Sequence, residues 1–412
     1  MREYAEKTVG PTMLNYVEWV LDEAGRRNIE RLYFLARDGY LLCEIAKKIV
    51  KRRGLPIECR YLYCSRQALR IPSYAVIGKE AFELLTLGGY YLTPRSVISR
   101  AAIGRENEDV ILNSLGISEP DKPFIKNEFQ DFAKRLRESL QYQALVKEVS
   151  EAAYGNAIDY FRQEGLFDRE YVAVVDSGWT GSMQRSLRQL LESAGYEGRL
   201  YGFYFGMFRE PKDEKDGEYL NFYFDHNSGF LRKLNFNNNL FECMLSATHP
   251  MTVGYEAEDG RLRPVFAKGH GEELLPIIEA QIAGALAYTD RALEEGLAPF
   301  NVKRARKLCY KILKRAMVYP TRDEVELLSS FMFCDDVTEG YRNSLADATM
   351  REKLANYSFF KRLWRKLTGR KNSGGNEIFW VYGVIALCPP LTRPWKRLNV
   401  RLWEIARIIL KK

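Results

Sequence analysis

The residues best equipped for chemistry in this 412-residue chain lie in short polar runs, each directly behind a short apolar stretch. Val172-Ala173-Val174-Val175 runs into Asp176-Ser177-Gly178-Trp179-Thr180-Gly181-Ser182, and a helical pattern with Met183, Leu187, Leu190 and Leu191 follows. An acid, hydroxyls and glycines at a strand-to-helix turn suit a phosphorylated ligand. Gly178 and Gly181 let the backbone come close to it. The amides of Thr180, Gly181 and Ser182 sit at the positive end of the next helix, where an anion is favoured. Asp176 is placed to accept hydrogen bonds from ligand hydroxyls, as a carboxylate does for a ribose. The competing reading is a plain turn in which serine and glycine only satisfy caps.

Leu32-Tyr33-Phe34-Leu35 leads in the same way into Ala36-Arg37-Asp38-Gly39. A charged pair at the end of a buried strand is costly without partners, so Arg37 and Asp38 either pair with each other or meet a ligand. Cys64-Ser65-Arg66 follows a second strand through Tyr61-Leu62-Tyr63. Two arginines and a hydroxyl at neighbouring strand ends suit a diphosphate. Leu240-Phe241-Glu242 places an acid in apolar surroundings, either a buried acid or a residue on a helix face. His249 nearby reads as structural, since no triad or metal spacing surrounds it.

The elements that must hold these residues follow from periodicity. Met13, Leu14, Val17, Val20, Leu21 and Ala24 have helical spacing, with Gly25 as the expected stop. The strand at 32–35, a helix carrying Leu41, Leu42, Ile45 and Ile49, a break at Gly54-Leu55-Pro56 and the strand at 61–63 form a β-α-β unit. That unit implies a parallel sheet. The strand at 172–175, its helix and a fourth strand at 200–205 extend it. The expected fold is therefore α/β, with a core in 1–75 and 166–270, a helical insertion at 76–165 and a helical C-terminal region at 271–412. In the last, Ala305, Leu308, Cys309, Ile312, Leu313, Ala316 and Met317 form one apolar stripe, and Thr321 with Glu324 reads as a capping box.

Composition narrows the class. No run of about 18 apolar residues suggests a membrane span, and the N-terminus lacks the apolar stretch of a secretory signal. Seven cysteines without a CxxC pair argue against a disulfide framework or a zinc site, so a cytoplasmic location is expected. The net charge of +8 is uneven: from Lys361 onward, thirteen Lys/Arg face two Glu, a local +11 that leaves the remainder near −3. Lys361, Arg362, Lys396, Arg397 and Arg401 alternate with Leu363, Trp364, Trp395, Leu398, Leu402 and Trp403. Basic amphipathic helices with aromatic residues suit an anionic membrane surface. The alternative is that they cover the core with snorkelling side chains. The apolar run from Ile378 to Leu387 is too short to span a bilayer, and either dips into one or packs in the core.

The strand-end loops resemble those of type I phosphoribosyltransferases. In that family a loop after the first strand holds pyrophosphate, and an acidic Thr/Gly-rich loop after a later strand grips the ribose and 5-phosphate of phosphoribosyl pyrophosphate (PRPP). Ala36 to Gly39 takes the first place here and Asp176 to Ser182 the second. Ser65 and Arg66 stand where the family often has a further pyrophosphate contact. The family's paired acids appear here as Asp176-Ser177.

FLARDGYLL, YLYCSRQALRIP, VVDSGWTGSMQRSL and LFECMLSATHP also resemble, over nearly the whole chain, proteins of bacterial surface-polysaccharide gene clusters. Many of those carry a haloacid dehalogenase-class phosphatase domain ahead of this region. This chain has no DxDxT nucleophile motif, so the hydrolase label does not transfer to it. The resemblance implies transfer of ribofuranose 5-phosphate from PRPP to a sugar hydroxyl of a lipid-linked glycan at the inner face of the membrane, with a separate phosphatase acting on the product. It implies PRPP contacts from Arg37, Gly39, Ser65, Arg66 and Asp176 through Ser182 (Ser177, Gly178, Trp179, Thr180 and Gly181 between them). Mg²⁺ would be held with the pyrophosphate by Asp38 and Asp176. Asp38, and after it Glu242, is the candidate base, and Arg37 stabilises the departing charge. A phosphohydrolase, a nucleotide-sugar glycosyltransferase and a non-enzymatic lipid- or nucleic-acid-binding adaptor are the competing classes. The acidic body and polar strand-end turns disfavour the adaptor, and no nucleic-acid partner is expected.

Overall fold

The computed structural model describes residues 1–87, 92–124, 128–209, 217–268, 272–333, 343–367 and 378–409. Five strands pair in parallel in the order β2-β1-β3-β4-β5: β1 (Arg31–Leu35), β2 (Glu58–Leu62), β3 (Tyr171–Trp179), β4 (Arg199–Met207) and β5 (Glu218–Phe224). The α/β expectation and all four expected strands are present. The fifth, β5, is an addition; its Glu218-Tyr219-Leu220-Asn221 start breaks the continuous apolar run that marks a strand buried on both faces.

Period-two alternation divides the sheet between two cores. Leu32 and Phe34 of β1 and Ala173 and Val175 of β3 face α1 (Gly10–Arg26) and α2 (Gly39–Arg53). Tyr33 and Leu35, with Val172 and Val174, face α3 (Arg66–Ile77), α4 (Leu140–Gln163) and α5 (Ser182–Ser193). The helix at the N-terminus runs one residue past Gly25, and Asn28 rather than Gly25 takes the left-handed conformation at its end. Gly54 caps α2 as expected. Most of the insertion's helices close over a third small core built on Leu85, Val97, Ile111, Phe132, Leu136 and Val146.

Two short helices follow β5, α6 (Phe230–Leu234) and α7 (Asn238–Cys243), then an antiparallel hairpin of β6 (Thr252–Glu258) and β7 (Arg261–Phe266). The hairpin escaped sequence reading, although Asp259-Gly260 between its strands is a strong hairpin signal. It docks just past the end of β2: Ser65 Oγ donates to the Thr252 carbonyl at 2.6 Å and the Tyr255 hydroxyl to the Tyr63 carbonyl at 2.8 Å.

The C-terminal region is built into the main core. α8 (Leu275–Glu295) and α9 (Val302–Val318) pack on α1, and one buried cluster runs from Tyr4 to Val400. Arg306 of α9 donates to the carbonyls of Asn221 and Phe222, satisfying part of the β5 edge. The stripe at 305–317 lies on α9, and the Thr321–Glu324 capping box is formed. After α10 (Phe359–Leu367), the apolar run at 378–387 forms α11 (Val381–Ala386); Trp380, Val384, Ile385 and Ala386 are fully buried, so this segment packs in the core. α12 (Arg393–Ile409) closes the described chain.

One backbone position carries the geometry of the β3 end. Gly178 has φ +117°, and a Cβ there would lie 2.3 Å from the Gly206 carbonyl oxygen on β4. Left-handed backbone of this kind is almost confined to glycine, at a cost of about 1–3 kcal/mol for other residues, and the clash adds to it. Gly178→Ala is expected to lower unfolding free energy by about 3 kcal/mol or more, read from urea melts. An unchanged midpoint would show that β3 and β4 part there at little cost.

Candidate functional site

The order β2-β1-β3-β4-β5 contains one reversal. From β1 the chain moves to β2 on one side, whereas β3, β4 and β5 progress on the other. The two connections leave the sheet in opposite directions, and a crevice opens between the carboxyl ends of β1 and β3. Ligands of open α/β sheets bind at such a point. Both polar runs end there, since β1 and β3 are direct neighbours.

Asp38 stands at the N-cap of α2 but makes no capping hydrogen bond. Its carboxylate instead accepts one from the side chain of Ser177, at the end of the neighbouring strand. This contact is the direct bridge between the two predicted runs. Asp176 is buried, and its carboxylate accepts from the backbone amides of Ser177 and Gly178. From behind, the Tyr16 hydroxyl of α1 reaches the carbonyls of Asp176 and Phe203, 2.8 Å from each, and ties the helix to the site.

Burial is the main reason both acids hold their protons more tightly than usual. At Asp38 the contact with Ser177 and the charges of Arg37 and Arg66 oppose it. Asp176 is driven well upward by burial, and then by the negative charge of Asp38; Glu242 adds to the rise, while the two amides oppose it. The crevice therefore concentrates negative charge in a poorly solvated place and is disposed to receive a cation or proton.

The loop after β3 has two halves. Thr180 is exposed at the tip, and Gly181 (φ +70°) stands at the N-cap of α5 with no side-chain cap. A Cβ on Gly181 would lie 2.4 Å from the ring of Tyr219, so the close approach demands glycine. The amides of Ser182 and the residues after it begin a 12-residue helix, which gives the loop a positive end. Trp179 lies in the left-handed region at φ +84°. Its indole is packed among Phe208, Phe224, Phe236 and Phe241, and its N–H donates to Glu242 Oε1 at 2.6 Å. Trp179 thus couples the loop to α7 and holds Glu242 near Asp176.

The β2 side contributes differently. Ser65 is the N-cap of α3, accepting from the Ala68 amide at 3.0 Å, so its hydroxyl is engaged on both sides. Arg66 is the first residue of α3 and exposed, and its charge reaches Asp38. Arg37 is exposed at the end of β1, joined to Ala36 through a cis peptide. Gly39 opens α2 against β1, where a Cβ would lie 2.6 Å from the Phe34 carbonyl carbon.

Both ring nitrogens of His249 are engaged. Its Nδ1 pairs with the Pro250 carbonyl at 2.7 Å, which makes Nε2 the acceptor for the Tyr61 hydroxyl at 2.6 Å. Burial lowers its proton affinity, and Arg37 acts in the same direction. Tyr61, Tyr63 and Phe266 pack against it at the β2 end, and Tyr40 packs on Tyr61. Sequence reading missed this aromatic group because Phe266 arrives on the hairpin, far along the chain from Tyr40, Tyr61 and Tyr63.

All the predicted loops thus meet at one crevice, with Asp38, Asp176 and Glu242 supplying acid and Arg37 and Arg66 supplying cations. Among the described residues no cluster of three or more His, Cys, Asp or Glu is arranged to hold a metal ion. Two neighbouring carboxylates fit an ion that a bound phosphate helps to ligate.

A carboxyl whose folded pKa exceeds its unfolded value adds stability in full below the unfolded value. That contribution is lost as pH rises through the folded one. Asp176→Asn should therefore show a smaller loss of stability than wild type between pH about 5 and about 7.5. Urea unfolding at both pH values checks this, and parallel behaviour of the two proteins would contradict the charge crowding.

Comparison with protein-family models gives no match for this chain, and comparison with curated proteins gives none either.

Proposed function

We propose that the chain is a PRPP-dependent phosphoribosyltransferase with a type I phosphoribosyltransferase-like core, which transfers ribofuranose 5-phosphate to a sugar hydroxyl of a lipid-linked glycan during surface-polysaccharide synthesis. The observation that carries the reading is the convergence at the β1/β3 reversal of a glycine-rich helix N-terminus, a buried acid (Asp176), a half-buried one (Asp38) and two arginines. A sugar phosphate diphosphate needs each of these. Its 5-phosphate suits the amides at the start of α5, its ribose hydroxyls suit Asp176, and its pyrophosphate suits Arg37 and Arg66.

Mg²⁺ fits the same arrangement, with Asp38 and Asp176 as its protein ligands beside pyrophosphate oxygens. Bound there, it would neutralise charge on the leaving pyrophosphate. The crowding of the two acids supports this role, because a cation relieves it. Departure of pyrophosphate leaves positive charge on the anomeric carbon, and the guanidinium groups stabilise the departing anion. The acceptor hydroxyl is a poor nucleophile and needs a base. Asp38 is the first candidate, its affinity for a proton raised toward the working range. Glu242, held by Trp179, is the second. The product keeps its 5-phosphate for a separate phosphatase to remove.

The lipid-linked acceptor is supported by the tail. No helix among the described residues is long and apolar enough to cross a membrane. α12 packs one side on the core through Val400 and through Arg401, which donates to Leu234 and Asn235. Its other side and α10 present large apolar groups to solvent: Phe360 is 70% exposed, Trp364 53%, Trp395 66% and Leu398 47%. Lys361 and Lys396 flank them. Both alternatives for the tail therefore have support, on opposite sides of α12: core packing on one, and on the other the aromatic and basic surface that suits anionic lipid. Phe236, next to Asn235, touches Trp179, so it is the packed side of α12 that reaches toward the site loop.

Calorimetric titration of PRPP with Mg²⁺ should give micromolar-range binding that Asp176→Asn weakens at least about tenfold. Asp38→Asn should abolish transfer; PRPP affinity left nearly intact would make Asp38 the base, whereas an affinity loss like that of Asp176→Asn would make it a Mg²⁺ ligand instead. Absence of PRPP binding, with binding of a nucleotide sugar instead, would replace this reading. In flotation with phosphatidylglycerol-containing vesicles, the full chain should co-migrate, and the Phe360→Ser, Trp364→Ser, Trp395→Ser, Leu398→Ser variant should not. Equal flotation of both proteins would remove the membrane surface from the reading.

A further inference from the structure

α3 carries a second cation one helical turn beyond Arg66. Arg70 lies on the same face as Arg66, since residues four apart on a helix are neighbours. Like charges in that relation are destabilising unless something offsets them. Among the described residues the Arg70 guanidinium has no hydrogen-bond or ion-pair partner, although it is half-buried. Nearby arginines differ. Arg95 pairs with Asp109 at 2.7 Å and Asp121 at 3.1 Å, and Arg137 donates to Thr86 at 3.0 Å.

A third cation comes from the insertion. Arg100 is fixed by donating to the carbonyls of Leu85 at 3.1 Å and Leu87 at 2.6 Å, and its charge reaches Arg70 and Tyr74. Arg70 is disfavoured in its charged form chiefly by burial; Tyr74 opposes this, and Arg66 and Arg100 add to it. A row of cations thus leads from Asp38, through Arg66 and Arg70, to Arg100 of the insertion, with no carboxylate among the described residues acting on Arg70.

We infer that Arg66, Arg70 and Arg100 form a binding pocket for a diphosphate group, with Arg70 as its central contact and the insertion as its outer wall. A recessed guanidinium without a partner costs free energy that a multiply charged oxyanion recovers. Planar guanidinium forks match phosphate oxygens in pairs, whereas a lone carboxylate would leave donors unused. The pocket rests on the one-turn spacing of Arg66 and Arg70, the half-buried Arg70 guanidinium and the Arg100 charge that reaches it; identifying its occupant as the donor's pyrophosphate rests on the phosphoribosyl reading above. The diphosphate of a polyprenyl carrier has the same chemistry.

The test is titration of inorganic pyrophosphate and, separately, ribose 5-phosphate into the full chain and Arg70→Gln. Pyrophosphate affinity should fall at least about tenfold, ribose 5-phosphate affinity should be unchanged, and the melting temperature should not drop. Arg70→Lys should recover only part of the loss, because the fork is gone. Unchanged pyrophosphate binding in Arg70→Gln would overturn the pocket, as would an equal loss of ribose 5-phosphate affinity. Displacement of bound pyrophosphate by PRPP assigns the pocket to the donor, and displacement by farnesyl diphosphate in detergent assigns it to the carrier. Arg70-dependent pyrophosphate binding without any PRPP binding would keep the pocket and remove the phosphoribosyl reading.

Discussion

Negative charge gathered where two parallel strands end is the constraint around which this molecule is arranged. Asp38 and Asp176 come from strands 138 residues apart in sequence, yet hydrogen-bonded pairing of β1 with β3 makes them neighbours. Ser177 joins them, its side chain bonding Asp38 and its amide bonding Asp176. Burial makes that proximity expensive. The neighbouring structure reads as support for it: Tyr16 braces the β3 end from one sheet face, and Arg37 and Arg66 bring positive charge from the solvent side.

The same constraint accounts for the unusual backbone at this place. β3 is longer than β1, and its last residues bend away with Gly178 and Trp179 both at positive φ. A tryptophan in that conformation is strained. The aromatic nest and the bond to Glu242 hold it there, so packing energy is used to aim a loop. In the proposed reaction that stiffness keeps the ribose and the base in register, since misplacement by about 1 Å costs rate steeply.

The regions around the sheet divide by role. The N-terminal helix and α8 and α9 complete one core face, so the chain's two ends are needed to bury the sheet. The insertion has its own small core, and the charge of its Arg100 reaches Arg70 on α3. α12 is packed on one side through Val400 and presents Trp395 and Leu398 on the other.

Much of the candidate site was legible in the sequence because it is local. A buried parallel strand must be an apolar run, and the turn after it must be polar, so the runs at 36–39, 64–66 and 176–182 announced themselves without any fold. The parallel sheet followed from the β-α-β spacing. β5 and the hairpin were harder: one has mixed polarity at its start, and the other depended on a two-residue turn signal at Asp259-Gly260. What the sequence could not decide was adjacency. Which strands pair, that Asp38 meets Ser177 rather than capping its own helix, that Trp179 turns inward to Glu242, and that Arg70 is left beside Arg100 are all contacts between distant residues. They arise from strand order and side-chain packing, which depend on the whole chain burying its apolar surface at once, and no local pattern encodes them.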